Sequence, residues 1–202
     1  MERKAIIFGI KGTTLTKDER NLLKHTKPWG IILFSRNIKN IFQLKVLVND
    51  IKKIFKDPNY PLLIDQEGGR VSRINKILDL SLFSQEYFGQ LYKYDKINFL
   101  TRYKIHINMV SNILKDVGIN INTVPVLDVR RKYSHKIIGD RSFSYKSSIV
   151  KKIGKLCTDF YQKNKIATVM KHIPGHGLAR SDSHFELPII GNKKKLLINK
   201  DF

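Results

Sequence analysis

Cysteine is almost missing from this chain, with Cys157 the single one among 202 residues. That excludes an intramolecular disulfide and a cysteine-rich zinc site, and it fits a reducing compartment. Long apolar runs are missing too. No stretch approaches the ~20 apolar residues of a membrane helix. After Met1-Glu2-Arg3-Lys4, the apolar residues 5–8 are too few for a signal-peptide core, and no cleavage pattern follows. The expectation is a soluble, cytoplasmic protein with no membrane partner. There is no internal repeat, no low-complexity linker, no GxGxxG or P-loop pattern and no HExxH motif.

Acidic side chains are scarce as well. Against 38 Lys and Arg there are 17 Asp and Glu, so the formal charge is 38 − 17 = +21. A nucleic-acid binder would group its cations on one face. Here the 28 lysines run along the whole chain, in short clusters at Lys52-Lys53, Lys151-Lys152 and Lys193-Lys194-Lys195, and aromatics do not interleave with them. The favoured reading is a solvated, lysine-biased surface with no specific nucleic-acid partner. A basic nucleic-acid-binding α/β protein is the alternative.

What is present suffices for a core, since 42% of residues are hydrophobic and 10% aromatic. Short apolar runs at residues 5–10, 30–34, 61–65, 121–127 and 167–172 read as strands. Between them, apolar residues recur at helical spacing, as in Leu44, Leu47, Val48, Ile51 and Phe55, or Leu100, Tyr103, Ile107, Val110, Leu114 and Val117. Thr16 stands three residues before Glu19, a capping-box spacing that opens a helix stopped by Pro28. Residues 68–96 read as less regular. Strand–helix alternation with strands apolar on both faces implies a parallel sheet covered by helices. Two architectures fit: an open doubly wound sheet, or part of a (β/α)₈ barrel.

Four strands end in residues that do not belong in a core: Ser35-Arg36-Asn37, Asp65-Gln66-Glu67, Asp128, and Lys171-His172. Ligands of parallel α/β sheets bind at such carboxyl ends, so a polar ligand site is expected there. The densest cluster follows the last strand, where Lys171-His172-Ile173-Pro174-Gly175-His176-Gly177 leads to Asp182-Ser183-His184. His172, His176, Asp182 and His184 are metal-ligand types, yet Pro174 and Gly175 keep His172 and His176 off a common helix face. The other reading is an Asp–His pair in which the carboxylate orients an imidazole for proton transfer.

These motifs resemble a known family. The run from Leu63 through Asp65-Gln66-Glu67-Gly68-Gly69-Arg70 to Arg73 looks like bacterial family 3 glycoside hydrolases, as does the Lys171 to His184 segment. More narrowly, both resemble cytoplasmic β-N-acetylglucosaminidases of peptidoglycan recycling. Trp29-Gly30, Phe34-Ser35-Arg36-Asn37, Pro125-Val126-Leu127-Asp128 and Gly139-Asp140-Arg141-Ser142-Phe143 match in the same order. The resemblance implies a TIM (β/α)₈ barrel, and hydrolysis of terminal β-linked N-acetylglucosamine from anhydro-muropeptides by a retaining mechanism. By motif, Asp65, Arg73, Arg141, Lys171 and His172 would bind the sugar. His184 would be the general acid/base and Asp182 its partner, in place of the second carboxylate usual in retaining glycosidases. No metal and no cofactor is called for.

The family's nucleophile is an aspartate on a later strand. With five strands read where a barrel has eight, the expectation is a single domain over residues 1–202 holding about five βα units of an incomplete barrel. An inactive remnant lacking the nucleophile is therefore the alternative to the enzyme.

Overall fold

The apolar runs become five strands in a computed structural model that describes residues 2–132, 136–173, 176–179, 181 and 185–190. They are β1 (Lys4–Gly9), β2 (Pro28–Leu33), β3 (Leu62–Ile64), β4 (Ile121–Asn122) and β5 (Ala167–Thr168). All pair in parallel, and their spatial order is their chain order. This decides between the two architectures. A doubly wound sheet reverses strand order at a switch point, whereas an unbroken sequential order is an arc of the (β/α)₈ type.

Among the described residues five α-helices accompany the sheet: α1 (Lys17–Thr26), α2 (Ile41–Phe55), α3 (Gln85–Tyr94), α4 (Lys96–Val117) and α5 (Ser147–Lys163). The capping box at α1 is formed, with Thr16 accepting from the Glu19 amide and Glu19 accepting in return from the Thr16 amide. The helix ends one residue before Lys27, which takes a left-handed conformation, and Pro28 already opens β2. Leu44, Leu47, Val48 and Ile51 of α2 are buried with Tyr103, Ile107, Val110 and Leu114 of α4 and the strand residues Ile31, Leu33, Leu62 and Ile64 in one core.

Two sequence expectations need correction. Residues 68–96 are not merely irregular, because they contain α3, started by Ser84, whose hydroxyl accepts from the Tyr87 amide. Its apolar residues Tyr87, Phe88, Leu91 and Tyr92 do recur at helical spacing and pack on the core, but over only ten residues and with Phe88 alone among them fully buried. The last two strands are also far shorter than the apolar runs. β4 stops at Asn122, where the Val124 amide turns back to the Asn122 carbonyl (2.9 Å), and beyond it β4 and β5 touch through one isolated bridge, Val126 to Lys171. No helix among the described residues is long and apolar enough to cross a membrane.

Candidate active site

That isolated bridge places the first functional side chain. Lys171 donates its amide to the Pro125 carbonyl (3.1 Å) and accepts from the Leu127 amide (2.6 Å), which fixes it at the carboxyl end of β5. Two strands along the sheet, with β4 between, Asp65 and Glu67 follow β3. Two residues apart on extended chain, they point to the same side. The Lys171 ammonium sits between them, 2.9 Å from Asp65 Oδ1 and 2.6 Å from Glu67 Oε1, and also donates to Thr123 Oγ1 at 3.2 Å.

Gln66, between the two acids, faces the other way and is buried. Its backbone exchanges two hydrogen bonds of 3.0 Å with the Asn122 side chain, and its Oε1 accepts from the amides of Arg73 (2.8 Å) and Ile74 (3.1 Å). The loop is thereby folded back so that Arg73 Nη2 comes 3.4 Å from Asp65 Oδ2. Gly68 allows the return: its φ is +92°, and a Cβ there would lie 2.3 Å from the Phe83 carbonyl oxygen.

Arg141 comes from a different direction. It ends a short 3₁₀ turn, Gly139–Arg141, and makes a two-point contact with Glu67, Nε to Oε2 at 2.8 Å and Nη2 to Oε1 at 2.9 Å. Helix α3 holds this turn in place. The Gln85 amide nitrogen faces the carbonyls of Val126 (3.2 Å) and Arg141 (3.1 Å). Gly89 seats the helix on the next residues, since a Cβ there would lie 1.7 Å from the Phe143 carbonyl oxygen.

Asp128 is the third carboxylate, its side chain fully buried. Its Oδ1 accepts from the Gly177 amide (2.8 Å), and its Oδ2 from the His172 amide (3.2 Å), with His172 Nδ1 2.7 Å away. The other ring nitrogen of His172, Nε2, lies 3.4 Å from Arg141 Nη2. The His176 ring crosses His172 edge-on at 5.5 Å between centroids.

Charge is balanced here: Asp65, Glu67 and Asp128 stand against Arg73, Arg141 and Lys171. Burial by itself would raise the Asp65 carboxyl, but Lys171, Thr123 and Arg73 outweigh it and hold it below its ordinary value. Glu67 is more deeply buried, and Arg141 and Lys171 likewise keep it low. Burial would lower the Arg141 guanidinium, yet Glu67 drives it up. Burial lowers His176, more than Asp128 lifts it. Such a site suits an uncharged, hydroxyl-rich ligand, which needs many fixed donors and acceptors and no net compensating charge.

Of the residues picked out in the sequence, Asp65, Arg73, Arg141, Lys171 and His172 come together within one network. Asp182 and His184 lie outside the described residues. Glu67 and Thr123 carried no individual role in the sequence reading, and both touch Lys171. Glu67 was findable, because it shares a strand face with Asp65; Thr123 carried no such signal. Among the described residues, no group of His, Cys, Asp and Glu is arranged to hold a metal ion.

The sequence profile of the glycosyl hydrolase family 3 N terminal domain matches residues 4–202. A beta-hexosaminidase of Haemophilus ducreyi is 35% identical over 196 residues, covering 97% of this chain and 56% of the relative. Native NagZ from Neisseria gonorrhoeae superimposes with a TM-score of 0.87 at 31% identity, over 98% of this chain and 57% of that one. The same gonococcal protein, 30% identical, is also known in complex with N-trifluoroacetyl-D-glucosamine and in complex with zinc ion. The chain thus spans little more than half the length of the relatives it matches.

Proposed function

Because this chain belongs to glycosyl hydrolase family 3, we propose that its carboxyl-end network is the N-acetylglucosamine pocket of a β-N-acetylhexosaminidase. The observation that carries this reading is the placing of Lys171 between Asp65 and Glu67, with Arg73 and Arg141 closing either side. Asp65 accepts from sugar hydroxyls, and Lys171, Arg73 and Arg141 donate to hydroxyl and amide oxygens. The N-trifluoroacetyl-D-glucosamine bound by the gonococcal relative supports the same ligand class.

His184 supplies the acid/base function and Asp182 orients it, in a retaining mechanism whose nucleophile is an aspartate on a later barrel strand. The substrate is a β-linked N-acetylglucosaminide, in the cell an anhydro-muropeptide of peptidoglycan recycling in the cytoplasm. No metal takes part.

Two measurements test this. N-acetylglucosamine should bind the chain, and Lys171→Ala or Asp65→Ala should abolish binding. The chain supplemented with a C-terminal fragment carrying the later strands should release the chromophore from a β-N-acetylglucosaminide, and should still do so after exhaustive chelation. Failure of the sugar to bind wild type overturns the pocket. Activity lost with chelator and restored by zinc overturns the metal-free mechanism.

A further inference from the structure

The acceptors in the pocket are not equivalent. Asp65 holds Lys171 and Thr123 on one oxygen and faces Arg73 with the other, and both Glu67 oxygens hold cations. Asp128 is sealed from solvent and occupied by the Gly177 and His172 amides. His172 Nε2 differs. It belongs to a side chain one-third exposed, and its partner, Arg141 Nη2, is 3.4 Å away.

Two neighbours together dictate where the His172 ring carries its proton. A guanidinium only donates, so Nε2 facing Arg141 must offer its lone pair, because a proton there would set two donors against each other. On the far side, the carboxylate of Asp128 only accepts, and at 2.7 Å from Nδ1 it requires a proton on that nitrogen. The same carboxylate grips the backbone on both sides of the ring, at His172 and at Gly177, so the imidazole is held in place as well as in tautomer.

We propose that Asp128 is a positioning residue that fixes His172 as its Nδ1–H tautomer, so that Nε2 is presented as the acceptor for a hydroxyl of the bound sugar. The inference rests on the sugar-pocket reading for the identity of the ligand, but not for the tautomer. The sugar hydroxyl replaces the long Arg141 contact and frees Nη2 to donate to the ligand in turn. A hydroxyl replaced by fluorine or hydrogen at that position has no proton to give, so His172 selects for the hydroxyl through Asp128.

The test is ¹⁵N NMR of histidine-labelled protein at low ionic strength, with the His172 signals identified by their loss in His172→Gln. Wild type should show a protonated Nδ1 and an unprotonated Nε2. Asp128→Ala removes the acceptor that holds the proton on Nδ1 without putting a donor in its place; the proton should move toward Nε2, and affinity for N-acetylglucosamine should fall roughly fivefold to tenfold, the scale of one neutral hydrogen bond. A wild-type ring protonated at Nε2 overturns the proposal even if the variant does not fold, and so does a tautomer unchanged in Asp128→Ala. Added N-acetylglucosamine should move the Nε2 signal, and a shift confined to Nδ1 overturns the acceptor role. If the tautomer is as stated and the sugar moves neither signal, the sugar pocket falls and the tautomer assignment stands.

Discussion

Arg141 and Glu67 stand 74 positions apart in sequence, yet the guanidinium meets the carboxylate through two parallel hydrogen bonds of 2.8 and 2.9 Å, with the Glu67 side chain 1% exposed. A carboxylate so buried is worth little against an apolar replacement of both partners, but removing it alone strands the cations it neutralised. Glu67→Gln leaves Arg141 without its carboxylate partner and Lys171 with Asp65 alone. The expected cost is about 3–5 kcal/mol in a urea titration. A loss below about 1 kcal/mol, the scale of an exposed pair, would mean that Glu67 does not anchor the two.

Acid should act on the chain in two stages. Burial among aromatic rings, with Phe88 at 4.9 Å, lowers His106 from 6.5 to about 4. The unfolded chain therefore binds this proton before the folded one does. The stabilisation is complete above pH 6.5, declines as pH falls from 6.5 to about 4, and changes no further below that, a difference of about 3 kcal/mol. Asp65 and Glu67 work in the next window down. Their folded values are depressed, so what they contribute is full above 3.8 and 4.5 respectively and is lost as pH falls through the lower folded values. His106→Leu should flatten most of the upper stage, the lowered His176 supplying what remains, and leave the lower one. Melting temperatures from pH 4 to 7 that slope equally in both proteins would contradict the assignment to His106.

How much of this was legible before the structure depends on the range of the interaction. The Thr16 cap, the α2 and α4 periodicities and the apolar strand runs are local patterns, and each reads directly from the chain. Five site residues were reached through motif resemblance, since Asp65 and Lys171 are 106 positions apart and no spacing rule joins them. Helix α3 was missed although Tyr87, Phe88, Leu91 and Tyr92 recur at helical spacing and pack on the core, because the helix is only ten residues long and sits inside a stretch rich in turns. Asp128 looked like a polar strand end. Its role depends on a loop that returns 44 residues later to bring His172 against it.

The acid/base assignment makes its own demand. His184→Ala in the complemented enzyme should lower turnover by about 10²–10⁴-fold, the usual yield of a positioned proton donor, while sugar affinity changes little. Asp182→Asn should act in the same direction but more weakly, because the imidazole remains and loses only its orienting anion. Single-turnover kinetics on the two variants would expose an error. If His184→Ala lost less than about tenfold, it would fall below the range for such a group, and a neutral Asp182→Asn would dissolve the pair.

The edges of the sheet set the behaviour of residues 1–202 produced alone. Among the described residues, β1 pairs only with β2 and β5 only with β4. Ile6 and Ile7 on β1 are 42% and 44% exposed, and Val169, Met170 and Ile173 at the other edge are 43%, 57% and 52% exposed. An apolar strand edge invites pairing with another chain. The formal charge of +21 opposes it, but at physiological salt that repulsion decays over about 8 Å, whereas strands pair at about 4.8 Å. Salt should therefore tip the balance. Light scattering after size exclusion should find dispersed chains at low ionic strength and growing oligomers as salt approaches 0.15 M, the condition of that ~8 Å decay length. Ile7→Lys, which puts a charge on the β1 edge, should reduce the growth. A monodisperse monomer throughout the series would show that neither edge is available for pairing.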